Sequence, residues 1–173
     1  MLKRAKSYPV ELFLLALAVL PPLFIVFGNP NTILDWFSSD DGFYYFQMAR
    51  NLASGHGFSF DGLTQSNGFH PLWLFVITPI FALAQIDLLL PLRVLVLVLA
   101  LINAASAILP CRIARRRWPV ITALLAALLW IALPRIHLLT LNSGVEAELN
   151  AMLILLFWER LTAPATSSLA RHH

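Results

Sequence analysis

The sequence predicts an all-α, polytopic transmembrane protein whose outer-face loop carries an amphipathic interfacial helix. Three observations carry that expectation. The 173 residues are 59% hydrophobic and only 12% charged, with a mean hydropathy of +0.76, a balance far from that of a soluble globular domain. Long apolar runs alternate with short polar segments. The basic residues cluster beside those runs, Lys3, Arg4 and Lys6 before the first and Arg112, Arg115, Arg116 and Arg117 after a later one, as in cytoplasmic loops. The formal charge of +3 therefore belongs to membrane-flanking loops, and nucleic acid is excluded as a partner. Cys111 is the single cysteine, so no intrachain disulfide can form.

The first span is residues 10–27. Its apolar run ELFLLALAVLPPLFIVFG outlasts a signal-peptide core, and FGNPNT offers no small-x-small cleavage site, so it reads as an uncleaved helix, kinked at Pro21 and Pro22. The positive-inside rule puts the N-terminus in the cytoplasm and residues 28–70 outside. The second span, 88–109, returns the chain to the cytoplasm at CRIARRRW. Between them, PLWLFVITPIFALA (71–84) is shorter than the roughly 17 residues a spanning helix needs and contains Pro79. Were it to cross, the arginine cluster would lie outside, so it reads as a re-entrant or interfacial helix. Residues 119–141 should return outward and 147–158 should head back in, the last being short for a span. Residues 1–160 thus form one membrane portion, and the polar stretch 161–173 reads as a disordered tail.

This parity gathers residues 28–70 and the turn NSGVE (142–146) on the outer face. The loop sets Asp35, Asp40, Asp41 and Asp61 against Arg50, a charge opposite to that of the cytoplasmic loops. Within it, Tyr45, Met48, Ala49 and Leu52 fall at i, i+3, i+4 and i+7, so 41–54 is predicted as a helix with one apolar face. Asp40 is its expected N-cap, Asp41 lies in the first turn and Gly55 is the stop. Such a helix lies on the outer membrane surface, with Phe43, Tyr44, Phe46, Phe58, Phe60, Phe69 and Trp73 as an aromatic belt. Capping and dipole stabilisation account for the two adjacent carboxylates without any chemistry.

The order of an acidic pair, an aromatic helix ending in GHGF, the turn FDG, then NGFHPLW and later SGVEAEL resembles the C-type (GT-C) membrane glycosyltransferases. These polytopic enzymes take a sugar from a polyprenyl-phosphate carrier and transfer it on the outer or lumenal face. Protein O-mannosyltransferases, the aminoarabinose transferases of lipid A and mycobacterial arabinosyltransferases belong to this superfamily. The resemblance runs from the first span to about Trp158. Family members continue with many more spans, so it implies the N-terminal part of such an enzyme, with a fragment or an inactive truncated paralogue as alternatives. It further implies a bacterial inner membrane, a polyprenyl-phosphate sugar donor, contact with membrane lipids, and a glycan, lipid or protein acceptor.

The family carries its essential acid in the first outer loop just before such a helix, where Asp40 and Asp41 stand here. Inverting transfer, which the resemblance implies, needs a base to take the acceptor hydroxyl proton as an oxocarbenium-like centre develops. A retaining route would instead need a nucleophile at the anomeric carbon. Either aspartate serves as base, or the pair holds a divalent cation through oxygen ligands; no other cofactor is implied. The anionic leaving group calls for cations, and Arg50, Arg93 and Arg135 with His137 are the candidates, set against snorkelling or a solvated helix face. Glu146 stands at a turn where the family often has an acid, and capping of the next helix, shared with Glu148, is its structural alternative. His56 and His70 could meet a phosphate or a metal but lack tight ligand spacing. The rival from another class is a small non-catalytic membrane scaffold or assembly subunit that docks a partner through the aromatic helix.

Overall fold

The longest helix, α5 (Leu90–Ala114), is the axis on which the others pack. The computed structural model describes residues 8–163; Lys3, Arg4, Lys6 and the tail beyond 163 lie outside the described residues. Every regular element among them is helical. α1 (Tyr8–Val26), α2 (Pro30–Trp36), α3 (Asp40–Ala53) and α4 (Pro71–Phe81, extended by a 3-10 turn Ala82–Gln85) precede α5. α6 (Val120–Ala132), α7 (Pro134–Leu139) and α8 (Ala147–Leu161) follow it.

α1 and α5 are the two helices long and apolar enough to cross a membrane. α1 runs on through Pro21 and Pro22. α5 passes residue 109 and continues through Pro110 to Ala114, reaching about 37 Å and taking Arg112 into its last turn. Residues 119–141 do not form the single span expected of them. The ring of Pro134 disfavours helical geometry at Leu133, which is extended (φ −79°, ψ 108°), and the helix breaks into α6 and α7. The 13 residues of α6 cover about 20 Å, short of the roughly 30 Å of bilayer hydrocarbon. α8 is also short, and it extends past 158 to take in Glu159 and Arg160. Leu161, expected in the tail, is helical.

Side-chain contacts fix these helices head to tail. Arg112 forks onto Glu11 through Nε (2.9 Å) and Nη2 (2.8 Å), tying the end of α5 to the start of α1. At the other ends of the same helices, Arg93 Nη2 donates to the Gly28 carbonyl at 3.4 Å. Trp130 Nε1 donates to Asn103 Oδ1 at 3.0 Å between α6 and α5. Arg116 pairs with the Glu159 carboxylate and donates to the Glu159 carbonyl (3.0 Å) and Thr162 Oγ1 (2.8 Å), joining the end of α5 to the end of α8. The arginine cluster therefore sits at one end of the bundle and α2–α4 at the other.

At that second end α3 packs on α4. Tyr45, Phe46, Met48 and Ala49 are buried in one core with Trp73, Leu74, Ile77 and Phe81. Periodicity located the apolar face of α3, but α4 covers it, so α3 is a core element and its buried face does not lie on lipid. Phe46 and Trp73 leave the expected aromatic belt for the same reason, at 4% and 0% exposure. α2 was not anticipated; Asn29 caps it by accepting from the Thr32 N–H at 2.9 Å, with Pro30 in its first turn.

The turn before α8 docks on the first turn of α3. The Ser38 N–H donates to the Asn142 carbonyl (2.9 Å), Asn142 Nδ2 donates to the Trp36 carbonyl (3.0 Å), and Trp73 Nε1 donates to the Gly144 carbonyl (3.1 Å). A Cβ on Gly42 would stand 2.4 Å from the Ser143 carbonyl oxygen, so only glycine permits this approach. Gly144 has φ +70° and faces the ring of Phe46. Gly42→Ala is expected to lower stability by about 1–3 kcal/mol. Gly68→Ala, with open space around it, should stay within about 0.5 kcal/mol. Denaturant unfolding in detergent compares the two, and equal midpoints would contradict the docking.

Candidate functional site

Asp40 is the first helical residue of α3 and not its N-cap. Ser39 holds the cap position without a side-chain bond, and Asp40 Oδ1 accepts the Asp41 N–H at 3.1 Å. As predicted, the helix ends just before Gly55, whose φ of +84° suits a helix stop. Both carboxylates are exposed and open on a cleft of about 780 Å3. Its polar wall is α3 itself, with Asp40, Asp41, Gln47 and Arg50. Its apolar wall comes from Phe81, Leu88, Leu89 and Leu92 at the end of α4 and the start of α5. Phe43, Tyr44 and Phe60 add aromatic surface.

The loop after α3 sets Phe60 in that wall. Asn51 Nδ2 donates to the carbonyls of Ser59 (3.0 Å) and Phe60 (2.8 Å), and the Phe60 ring stacks on Tyr44 at 5.1 Å. Tyr44 Oη and Ser66 Oγ share a hydrogen bond of 2.6 Å. Asp61 Oδ1 accepts from the Thr64 N–H (2.7 Å), the Leu63 N–H (2.8 Å) and Ser59 Oγ (2.9 Å). Those donors, Thr64 foremost, hold its carboxyl well below the usual carboxylate range. Asp61 is thus a loop staple with its oxygen already occupied.

A second cluster lies at the start of α4 and α8. His70 Nδ1 meets Glu146 Oε1 at 2.5 Å, and the His70 backbone N–H donates to Tyr45 Oη at 2.8 Å. Glu146 Oε2 is buried and receives no hydrogen bond. A cavity of about 200 Å3 adjoins the pair, lined also by Trp73, Leu149 and Asn150. Burial raises the Tyr45 phenol above its ordinary value; the His70 N–H opposes this, and the charges of Glu146 and Asp41 add to it. Glu146 holds the N-cap position of α8, its carbonyl accepting the Asn150 N–H at 2.9 Å, but its side chain makes no capping bond and is turned to His70.

The expected site residues therefore separate. Arg50 shares the cleft with the acid pair; His70 and Glu146 join each other at a separate cavity, and Tyr45 feels the charges of both Glu146 and Asp41. Arg135 is exposed on α7 and lines neither cavity. Arg93 is engaged by the Gly28 carbonyl, and His137 Nε2 donates to the Ile131 carbonyl at 2.5 Å. His56 is exposed and lines neither cavity. Sequence reasoning missed Gly42, whose lack of a side chain is legible only against Ser143, and Glu148. The latter, expected to share in capping, is fully buried beside the Ser106 and Thr140 hydroxyls, and neither carboxylate oxygen receives a hydrogen bond. A signal existed, since Glu148 falls on the stripe of Met152 and Leu155.

Among the described residues no three His, Cys, Asp or Glu side chains converge as metal ligands, so Asp40 and Asp41 supply only part of a donor set. No family model, curated protein or solved structure matches this chain.

Tyr45 yields a pH prediction. Its native pKa is raised, so its contribution is complete below about pH 10 and is lost as the pH climbs through the higher native value. Tyr45→Phe is expected to flatten the alkaline fall of stability in denaturant titrations, and an alkaline limb of unchanged slope would contradict the assignment.

Proposed function

We propose that this chain carries the catalytic end of a polytopic membrane glycosyltransferase of C type. It moves a monosaccharide from a polyprenyl-phosphate donor to an envelope glycan, lipid or protein acceptor on the outer face of a bacterial inner membrane. The observation that carries this reading is the cleft: adjacent carboxylates, an arginine, aromatic faces and an apolar wall in one opening of about 780 Å3, a volume typical of small-molecule sites. It stands at the end of the bundle opposite the arginine cluster. The apolar side chains exposed around the bundle, Phe24, Ile121, Leu129 and Phe157 among them, together with α1 and α5, support a membrane setting.

The chemistry follows from the wall composition. One of Asp40 and Asp41 accepts the proton of the acceptor hydroxyl. That oxygen bonds to the anomeric carbon as the bond from carbon to phosphate oxygen breaks, and the polyprenyl phosphate leaves with the electron pair. Arg50 is the cation available in the cleft to offset the developing phosphate charge, and the proton passes from the carboxyl to water. Phe43 and Phe60 offer exposed ring faces to a sugar, and Leu88, Leu89 and Leu92 offer surface to the first isoprene units.

Asp40→Asn and Asp41→Asn test the reading in membranes supplied with a lipid-linked sugar. One of them should lose about 10²–10⁴-fold in turnover with insertion into the membrane unchanged. Full activity in both variants would favour the scaffold, whose docking helix needs no base. Orientation is tested separately by Ser38→Cys and Leu63→Cys, since the native Cys111 is buried. Both should react with an impermeant thiol reagent in intact cells. Reaction only after the cytosol is opened would turn the cleft away from an outer-face acceptor.

A further inference from the structure

The arginine cluster, read from sequence as a topology signal, divides into two kinds of side chain. Arg112 is bound in the fork with Glu11, and Arg116 is bound to the carboxylate and carbonyl of Glu159 and to Thr162. Glu159 also meets Arg160 at 3.3 Å, so among the described residues both carboxylates at this end of the bundle are already engaged. Arg115 and Arg117 differ. Neither side chain has a hydrogen bond or an ion pair among the described residues. Their backbone N–H groups return to Cys111 and Ala114 in a tight turn that presents the two side chains at the end of α5. Trp118 follows at 57% exposure, and Val120 and Ile121 continue the apolar surface into α6.

We propose that Arg115, Arg117 and Trp118 form a docking site for the phosphate headgroup of an anionic phospholipid in the leaflet opposite the cleft. The proposal rests on the membrane reading above. Guanidinium groups free of carboxylates bind phosphate oxygens through paired N–H donors. An indole beside them sits at the headgroup boundary, its apolar body toward the acyl chains and its N–H toward the polar zone. The exposed side chains of Val120 and Ile121 offer the first stretch of hydrocarbon a surface. The negative potential of an anionic leaflet acts on Arg115 and Arg117 without first breaking a protein ion pair. Arg112 and Arg116 would have to give up their carboxylates to do the same, so they hold the helices together while their neighbours hold lipid.

The full chain reconstituted in nanodiscs of mixed phosphatidylglycerol and phosphatidylcholine tests this, with the retained lipid identified by native mass spectrometry. The wild type should retain phosphatidylglycerol preferentially, and Arg115→Gln with Arg117→Gln should reduce that preference by about fivefold per arginine. Inorganic phosphate should not displace the lipid. Arg112→Gln should lower the unfolding temperature while leaving the lipid preference intact. An unchanged preference in the double variant, or an equal loss in Arg112→Gln, overturns the division of roles. Insertion without any headgroup preference overturns the proposal alone; failure to enter bilayers of either lipid overturns the membrane reading with it.

Discussion

The close approach of Gly42 to the Ser143 carbonyl is the constraint on which the cleft end of the molecule depends. A side chain there would push the turn before α8 off α3. With the turn seated, Asn142 reaches the Ser38 N–H and the Trp36 carbonyl, and Gly144 offers its carbonyl to the buried indole of Trp73. α2, α3, α4 and the start of α8 are thereby joined at one hub by bonds that span 71 to 106 residues of chain. Each of these bonds contributes on the order of 1 kcal/mol, and leaving the buried Trp73 N–H unpaired would cost more. The positions of the acid pair in the cleft and of Glu146 beside His70 both follow from this hub.

The hub also sorts the acids by environment. Asp40 and Asp41 are exposed on the cleft and have no cationic partner among the described residues. Glu146 is mostly buried and is paired with His70, as expected of a carboxylate in a water-poor place. Asp61 is exposed but consumed by its own loop. Tyr45 stands between the first two environments, its hydroxyl held by the His70 N–H. Four carboxylates in one region thus have three different fates, and the difference lies in their neighbours, since their residue type is nearly the same.

Local pattern made some of this legible in the sequence. The 3.6-residue stripe of α3, its stop at Gly55 and the apolar stretch of α4 are properties of short segments, and each lies within a few residues of its expected place. The polarity of the bundle was legible too, because the arginine cluster after α5 and the acidic loop mark opposite ends. Other features depend on partners distant in the chain. Nothing local to α3 says that α4 covers its apolar face, and nothing in RIARRR says which arginines meet Glu11 and Glu159. The break at Pro134 was hidden for a different reason: the run across it stays apolar, so hydropathy joined what the proline ring separates.

Glu148 shows what such distant partners can do within the bundle. It lies on α8 facing Ser106 of α5 and Thr140 at the end of α7. Both hydroxyls already donate to carbonyls on their own helices, Ser106 to Ile102 at 3.0 Å and Thr140 to Ile136 at 2.9 Å. Asn103, one turn before Ser106, takes the Trp130 N–H and leaves its own amide nitrogen unpaired. A polar seam therefore runs between α5, α6, α7 and α8 through an otherwise apolar interior. Apolar side chains alone tolerate many registers between helices, whereas sliding α6 by one turn against α5 would break the bond from the Trp130 N–H to Asn103, at a cost of about 1–2 kcal/mol. That bond sets α6 against α5, while the turn before α8 is held level with Gly42 by its own bonds to Trp36, Ser38 and Trp73.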